Sequence, residues 1–198
     1  MSDDILTRVR NDRDRDIIFK PRTGEDMDHA LLHRVPILKY SDLCKLAEKF
    51  GPTRMLAHMF RRSDDNVILL QDPSNMDSGH WISVSRNVPR KEIYFFSTYG
   101  GKPDVEKLKW MNEDELRKSG QFINIFNDGL RDLQQHGWEI HYNDHHYQKP
   151  GDKTGVCGIY TAAFLRSGKN PDEFEKETVS LMKRGINPAV YYYNKYFL

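Results

Sequence analysis

Two short segments constrain the fold of this chain more than any others. Residues 79–84, GHWISV, place a histidine at the start of an apolar, strand-like run. Residues 155–160, GVCGIY, place a cysteine between glycines before a helix-like run. A thiol and an imidazole that are distant in sequence, each at the edge of a regular element, are the pair that thiol hydrolases require. The sequence therefore predicts a fold that brings Cys157 and His80 together.

Length and composition indicate a globular chain with one principal domain. The 198 residues are 38% hydrophobic and carry a net charge of +1, so no global nucleic-acid-binding surface is indicated. The two cysteines, Cys44 and Cys157, do not suggest a disulfide framework, and an intracellular location is expected. The first residues lack the apolar stretch of a signal peptide, and no apolar run is long enough to predict a membrane span.

Local patterns predict a mixture of strands and helices. Apolar, β-rich runs bounded by turn residues predict strands at 67–70, 80–85, 93–97 and 138–142. Capping residues, glycine stops and apolar spacing predict helices at 43–50, 104–118, 122–135, 157–167 and 172–184. The helix at 104–118 is expected to present Val105, Leu108 and Met111 on one face. The predicted fold class is α+β, with a small mixed or antiparallel sheet flanked by helices.

The first 35 residues are predicted to form a charged N-terminal arm, followed by one domain at 36–198. Arginines and aspartates alternate through residues 8–16, which favours a solvated arm or leader. A docking arm for a partner is the alternative.

The glycine-flanked cysteine has the local chemistry of a nucleophile. A helix N-terminus at Cys157 and a nearby protonated His80 would both lower the pKa of the thiol. Gly155 and Gly158 would let backbone approach a substrate, and the Cys157 amide would be one oxyanion donor. The side-chain amide of Gln148, just upstream, is the candidate for a second donor.

The chain resembles the adenain-like and ubiquitin-like-protein-specific cysteine proteases in the order of its motifs. His-Trp comes first and is followed by a strand, then by Gln, and then by Cys-Gly at the start of a helix. The resemblance covers roughly residues 67–168 and implies a papain-like, adenain-type core. It implies His80 as general base, Cys157 as nucleophile and Gln148 as the oxyanion-hole amide. By the same resemblance, Trp81 and Gly155 would contribute to substrate binding.

The chain departs from the family pattern at two positions. The residue seventeen positions after His80, usually Asp, Glu or Asn in these proteases, is Ser97. A hydroxyl can orient an imidazole but carries no charge, so either a Cys-His dyad operates with Ser97 as a neutral orienter or another residue supplies a carboxylate. Gln148 lies nine residues before Cys157, slightly farther than is usual.

The resemblance implies a viral cysteine endopeptidase that cleaves structural precursor proteins after small residues, such as Gly, during virion maturation. It would act in the virion and the host-cell interior, without a cofactor; activation by a peptide or DNA occurs in the family but is not predicted from the sparse lysines here. One alternative is a protease for ubiquitin-like modifiers. Another is a non-catalytic binding module on the same scaffold, a reading motivated by Ser97.

Three further features are interpreted as structural. Cys44 is expected to be buried in its helix, and the tyrosines of the C-terminal tail are expected to pack in the core. Four histidines, at 136, 141, 145 and 146, raise the alternative of a metal site. No metal site is predicted, because the segment lacks ligand spacing on one helix face and a His-Glu-x-x-His motif.

Overall fold

A five-stranded mixed sheet forms the centre of the protein. The computed structural model describes residues 20–150 and 155–198. The strands are β1 Ile37–Lys39, β2 Asp65–Asp72, β3 Asn75–Asn87, β4 Glu92–Ser97 and β5 Glu139–Tyr142. They lie side by side in chain order; the β1–β2 and β4–β5 pairs are parallel, and the two central pairs are antiparallel. The predicted α+β class with a small mixed sheet is confirmed.

Helices cover both faces of this sheet. The helices of the described chain are α1 Gly24–Ala30, α2 Tyr40–Phe50, α3 Pro52–Arg62, α4 Glu113–Lys118, α5 Ile125–Gln135, α6 Val156–Ser167, α7 Pro171–Lys183 and α8 Pro188–Tyr196. A 3-10 helix spans Glu106–Lys109. Within the described ranges, no helix combines the length and apolar character that a bilayer span needs.

Side-chain alternation along the strands divides the core into two layers. Ile68, Ile82 and Phe95 belong to the cluster that contains the apolar residues of α2, α3 and α5. Val67 and Trp81, one position out of phase, pack with α1 and α6 on the other face. A third cluster on that second face joins the end of β4 to α6, α7 and α8. Since both faces are covered, residues 80–85 of β3 are buried without the alternation of exposed and buried positions that a sheet with one solvent face would show.

One helix prediction is wrong, and the helix α3 was not predicted. Residues 104–118 do not form one amphipathic helix: a 3-10 helix and α4 replace it, and Val105 and Leu108 are 46% and 54% exposed. Lys107 is buried instead, because its Nζ donates to the carbonyls of Gln121 and Ile123, while Met111 alone of the three predicted apolar positions lies in the core. The predicted stop at Gly51-Pro52 is also the start of α3, because proline is favoured in the first turn of a helix.

The predicted N-terminal arm lies partly outside the described residues, since residues 1–19 are not described. Within residues 20–35, Thr23 caps α1 through a capping box with Asp26. Met27 and Leu31 are buried in the cluster that contains Trp81 and Cys157. This part of the predicted arm therefore contributes to the core.

Candidate active site

One pocket at the end of the sheet brings the predicted histidine and cysteine together. His80 and Cys157 both line a cavity of about 290 Å³. The remaining lining residues come from several parts of the chain: Pro21, Asp72, Ser78, Gly79, Tyr99, Trp110, Gln148 and Gly155. His80 reaches the pocket because it precedes the β3–β4 pairing, which begins at Ile82.

Cys157 is the second residue of α6 and is 5% exposed. Gly155 caps the helix in the left-handed region (φ 67°), where a side chain would also meet the backbone of Lys20. Burial raises the pKa of the Cys157 thiol, although backbone N–H groups, first that of Trp81, act in the opposite direction. The sequence-based expectation of a lowered pKa is therefore wrong, because desolvation outweighs the helix N-terminus.

The imidazole of His80 is fixed at one nitrogen and unpartnered at the other. Its Nε2 lies 3.0 Å from Ser97 Oγ. Its Nδ1 is buried and has no hydrogen-bond partner among the described residues. The ring stacks on Tyr99 with a centroid separation of 3.8 Å and an interplanar angle of 3°. With the proton on Nε2, the ring would donate to Ser97 and present a free lone pair at Nδ1.

The pocket favours the neutral form of this imidazole. Burial, and secondarily the positive charge of Lys109, lowers the pKa of His80 to about 3. Lys109 is held in place because its Nζ donates to the carbonyls of Tyr99 and Gly100, at 2.8 and 2.7 Å. At neutral pH the site therefore holds a neutral thiol and a neutral base rather than a preformed ion pair.

Asn143, which the sequence analysis missed, holds Ser97 in place. Its Oδ1 accepts from the Ser97 N–H at 3.1 Å, and its Nδ2 donates to the Ser97 carbonyl at 2.7 Å. The Ser97 hydroxyl oxygen also accepts from the Tyr99 N–H at 3.3 Å. No carboxylate is hydrogen-bonded to His80 or Ser97 among the described residues, so the orienter is a neutral hydroxyl. The one sequence signal that could have indicated Asn143 was its position as a polar residue directly after β5.

Gln148 lines the same pocket as Cys157. Its backbone N–H donates to the Thr98 carbonyl at 3.1 Å, and its Oε1 accepts from the Thr98 hydroxyl at 3.2 Å. These contacts fix the amide from the turn after β4. Its predicted oxyanion role stays a prediction.

The two predicted substrate-binding residues occupy different positions. Gly155 lines the pocket. Trp81 is buried on the α6 face of the sheet, and its Nε1 donates to the Arg22 carbonyl at 2.9 Å. Trp81 is not among the residues that line the pocket, so its described contacts are those of a core residue.

The histidine cluster does not converge on the pocket. His141 instead forms, with Glu92 and Glu139, a group at the β4–β5 edge whose potential ligand atoms lie within 4.8 Å of one another. His145 faces Glu175 at 3.6 Å. Cys44 is buried in α2, and burial raises the pKa of its thiol to about 12, which fits the structural role expected for it.

Comparison with known proteins gives weak similarities only. The sequence matches no protein-family model and no curated protein. Among solved structures, the chain is similar to the SUMO protease Ulp1 with its catalytic cysteine oxidized to a sulfinic acid: 12% identity, 92% of this chain, 74% of that chain, TM-score 0.37. It is also similar to the form oxidized to a sulfonic acid: 12% identity, 72% of this chain, 63% of that chain, TM-score 0.36.

A third similar structure is the C-terminal Ulp1 protease domain in complex with Smt3, the yeast ortholog of SUMO. The identity is 11%, the match covers 94% of this chain and 92% of that chain, and the TM-score is 0.39. TM-scores of this size do not establish a shared fold, so the conclusions below rest on the described side chains.

Proposed function

We propose that this protein is a cysteine peptidase in which Cys157 is the nucleophile and His80 is the general base. The observation that carries the proposal is the pocket itself. It holds a thiol at a helix N-terminus and a histidine whose Nε2 is tied to Ser97 while Nδ1 has no described partner. Unsatisfied buried polar atoms are uncommon in folded proteins, and a catalytic role is one of the reasons for which they are retained.

The neutral resting state defines how the reaction begins. As the Cys157 sulfur attacks the scissile carbonyl carbon, its proton passes to His80 Nδ1. The resulting imidazolium is stabilised on its other side by Ser97 Oγ and by the Tyr99 ring. It then protonates the leaving amine, and water activated by the neutral ring hydrolyses the thioester.

The tetrahedral intermediate needs donors for its oxyanion. The Cys157 backbone N–H at the start of α6 and the Gln148 side-chain amide are the proposed pair. Loss of one such donor typically costs about 3–4 kcal/mol of transition-state stabilisation. Every group in this scheme is a side chain or backbone amide of the chain, so we propose no cofactor.

Ubiquitin-like modifiers are the proposed substrate class to test first, because the sequence resemblance includes their proteases. The alternative within the same chemistry is the maturation of viral structural precursors. The discriminating experiment compares a folded ubiquitin-like modifier fused to a reporter with an unstructured peptide that carries the same Gly-Gly junction. Preference for the folded fusion supports a modifier protease; cleavage of the peptide alone supports a maturation enzyme.

The primary test needs no substrate. Alkylation of Cys157 and Cys44 by iodoacetamide is followed by mass spectrometry across pH, in the native protein and in His80→Ala. We expect Cys157 to react faster than Cys44 at pH 7 and its rate to fall about tenfold or more in His80→Ala. Equal rates in both proteins would overturn the Cys-His couple and favour a non-catalytic binding scaffold.

A further inference from the structure

The pocket that contains Cys157 is lined by a second residue with a buried nitrogen that has no partner. Trp110 lines the same cavity as His80. Its indole Nε1, like His80 Nδ1, is buried and makes no hydrogen bond to any described residue. The two nitrogens differ in chemistry, because an indole N–H can only donate, whereas Nδ1 accepts when the imidazole carries its proton on Nε2. The pocket lining therefore offers one donor and one acceptor.

A second tryptophan near the nucleophile shows how this protein satisfies a buried indole. Trp81 lies in the core, and its Nε1 donates to the Arg22 carbonyl at 2.9 Å. Buried indole N–H groups usually have such a partner, because an unpaired one loses its hydrogen bonds to water without replacement. No described residue gives Trp110 an equivalent acceptor. Since Trp110 lines a pocket, we expect a molecule bound there to supply the acceptor.

The chain on both sides of Trp110 is anchored. On one side, Lys109 Nζ donates to the carbonyls of Tyr99 and Gly100, at 2.8 and 2.7 Å. On the other side, Met111 is buried in the core cluster of α2, α3 and α5. The Trp110 side chain is partly buried and packs against that cluster. A donor that is already held in place loses little conformational freedom when a ligand binds.

The acceptors that a peptide substrate always carries are its backbone carbonyl oxygens. In the proposed reaction, the attacked carbonyl already has two donors, the Cys157 N–H and the Gln148 side-chain amide. The next carbonyl on the acyl side of the scissile bond is then the nearest acceptor without an assigned donor. Glycines before the scissile bond have no side chain to recognise, so such a substrate is held through its backbone groups.

We propose that Trp110 is a substrate-binding residue whose indole N–H donates to the backbone carbonyl of the residue that precedes the attacked one. This inference rests on the proposed function and adds a recognition element to the same site. Trp110 keeps its proton throughout, while the thiol proton passes to His80 Nδ1. The hydrogen bond is made equally in the bound substrate and in the transition state, so Trp110 should affect binding rather than the chemical step.

The test combines Trp110→Phe with two reagents that alkylate Cys157 in the full chain. The first is acetyl-Gly-Gly chloromethyl ketone; in the second, an (E)-alkene replaces the Gly-Gly peptide bond and removes the proposed acceptor. Mass spectrometry gives the inhibition constant KI and the limiting rate for each. Because one hydrogen bond contributes up to about tenfold in affinity, we expect Trp110→Phe to raise KI of the first reagent about tenfold. Its limiting rate and the KI of the alkene should not change.

Trp138→Phe is the matched control, since Trp138 does not line the pocket and neither KI should change there. An equal rise in KI for both reagents in Trp110→Phe would overturn the inference, because the indole would then contribute only packing. An unchanged KI for the first reagent would also overturn it. If iodoacetamide alkylation of Cys157 still depends on His80 in that case, the proposed function remains.

A Cys157 that reacts with neither ketone nor iodoacetamide in the native protein would overturn both proposals. Thermal unfolding shows whether Trp110→Phe retains the fold. If it does not, the native protein alone decides: equal KI values for the peptide and the alkene would show that the carbonyl has no donor in the pocket. A lower KI for the peptide that persists in Trp138→Phe would support the hydrogen bond.

Discussion

Two buried polar clusters of this protein differ in whether their hydrogen-bonding groups are satisfied. In the first, the Tyr40 hydroxyl lies between Asp104, to which it donates, and the Lys107 ammonium, at 3.1 Å. Lys107 also donates to the carbonyls of Gln121 and Ile123, at 3.0 and 2.7 Å. In the second, the His80–Cys157 pocket, Nδ1 of the imidazole has no partner among the described residues.

This difference separates a structural role from a chemical one. A buried ammonium with several acceptors ties the 3-10 helix to α2 and to the segment before α5, and it has no capacity left for a ligand. A buried imidazole that is fixed on one side and open on the other retains the capacity to accept a proton. Burial alone does not distinguish Lys107 from His80; their hydrogen-bond partners do. Both carboxyl oxygens of the neighbouring Glu106 also lack a partner among the described residues, so the satisfied cluster is defined here as Tyr40, Asp104 and Lys107.

The largest expected effect concerns the satisfied cluster. Lys107→Met keeps the apolar stem but leaves several buried acceptors without a donor, so we expect the free energy of unfolding to fall by about 3–5 kcal/mol. Urea denaturation measures it. Lys102→Met, at an exposed lysine nearby, should change stability by less than about 0.5 kcal/mol. A stability of Lys107→Met equal to that of the native protein would show that the network is not structural.

Opposite pH dependences should distinguish the two clusters next. Because the folded pKa of His80 is about 3, below its unfolded value, its contribution to stability is present above about pH 6.5 and is lost as pH falls. Burial raises the pKa of Glu106, beside the satisfied cluster, so its contribution is present at low pH and is lost as pH rises above about 4.5.

Each group can change the free energy of unfolding by up to about 1.4 kcal/mol per pH unit within its window. We therefore expect His80→Ala to flatten the acid side of the stability profile and Glu106→Gln to flatten the side above pH 4.5. Denaturation at a series of pH values tests both. Parallel profiles for the native protein and either variant would contradict the corresponding assignment.

Asn143→Ala should affect both stability and the candidate site. The change removes the two hydrogen bonds from the Asn143 side chain to the Ser97 backbone. The Ser97 N–H loses its Asn143 acceptor, while the Ser97 carbonyl keeps the Gly100 N–H at 3.0 Å. We expect a loss of about 2 kcal/mol in the free energy of unfolding, with slower His80-dependent alkylation of Cys157. Asn127→Ala, on α5, is the comparison variant, since the alkylation rate should not change there. A loss of stability without any change in alkylation would make Asn143 structural only.

The smallest expected effect sharpens the role of Ser97. Ser97→Asp would place a carboxylate beside His80 Nε2, which raises the pKa of the imidazole by about one unit or more. Alkylation of Cys157 at pH 6 should then be about tenfold faster than in the native protein, and slower in Ser97→Ala. NMR titration of His80 provides an independent measurement. If the His80 pKa is unchanged in Ser97→Asp, the side chain at position 97 does not influence the protonation of the imidazole.

The sequence predicted the elements whose local patterns are strong. The strands around His80 and Ser97 and the apolar helix after Gly155 were identified from β-rich runs and glycine boundaries, and they bring the principal site residues together. The burial of Lys107 could not be predicted, because lysine is normally exposed. Its burial depends on carbonyl acceptors that only the tertiary structure brings close to it. Asn143 was missed for the same reason: its partner is the backbone of Ser97, on a neighbouring strand.

The N-terminal segment is a different case: residues 8–16, whose charges motivated the predicted arm, lie outside the described residues, and only residues 20–35 can be compared. Its alternating charges indicated a solvated arm, whereas Met27 on α1 and Leu31, the C-cap residue four positions later, were an available signal for a buried helix face. The raised pKa of the Cys157 thiol also could not be predicted without the structure. A helix N-terminus is visible in sequence, but the extent of desolvation is not.

The sequential order of the strands has a consequence for folding kinetics. His80 and Ser97 are joined by one hairpin, with a separation of 17 residues, so local pairing of β3 with β4 can assemble the base half of the site early. The Cys157 thiol reaches the pocket only when α6 docks on β3; the Thr161–Trp81 hydrogen bond across that junction spans 80 residues. We expect pulsed hydrogen exchange to protect β3 and β4 before α6, so that a refolding chain acquires its base before its thiol.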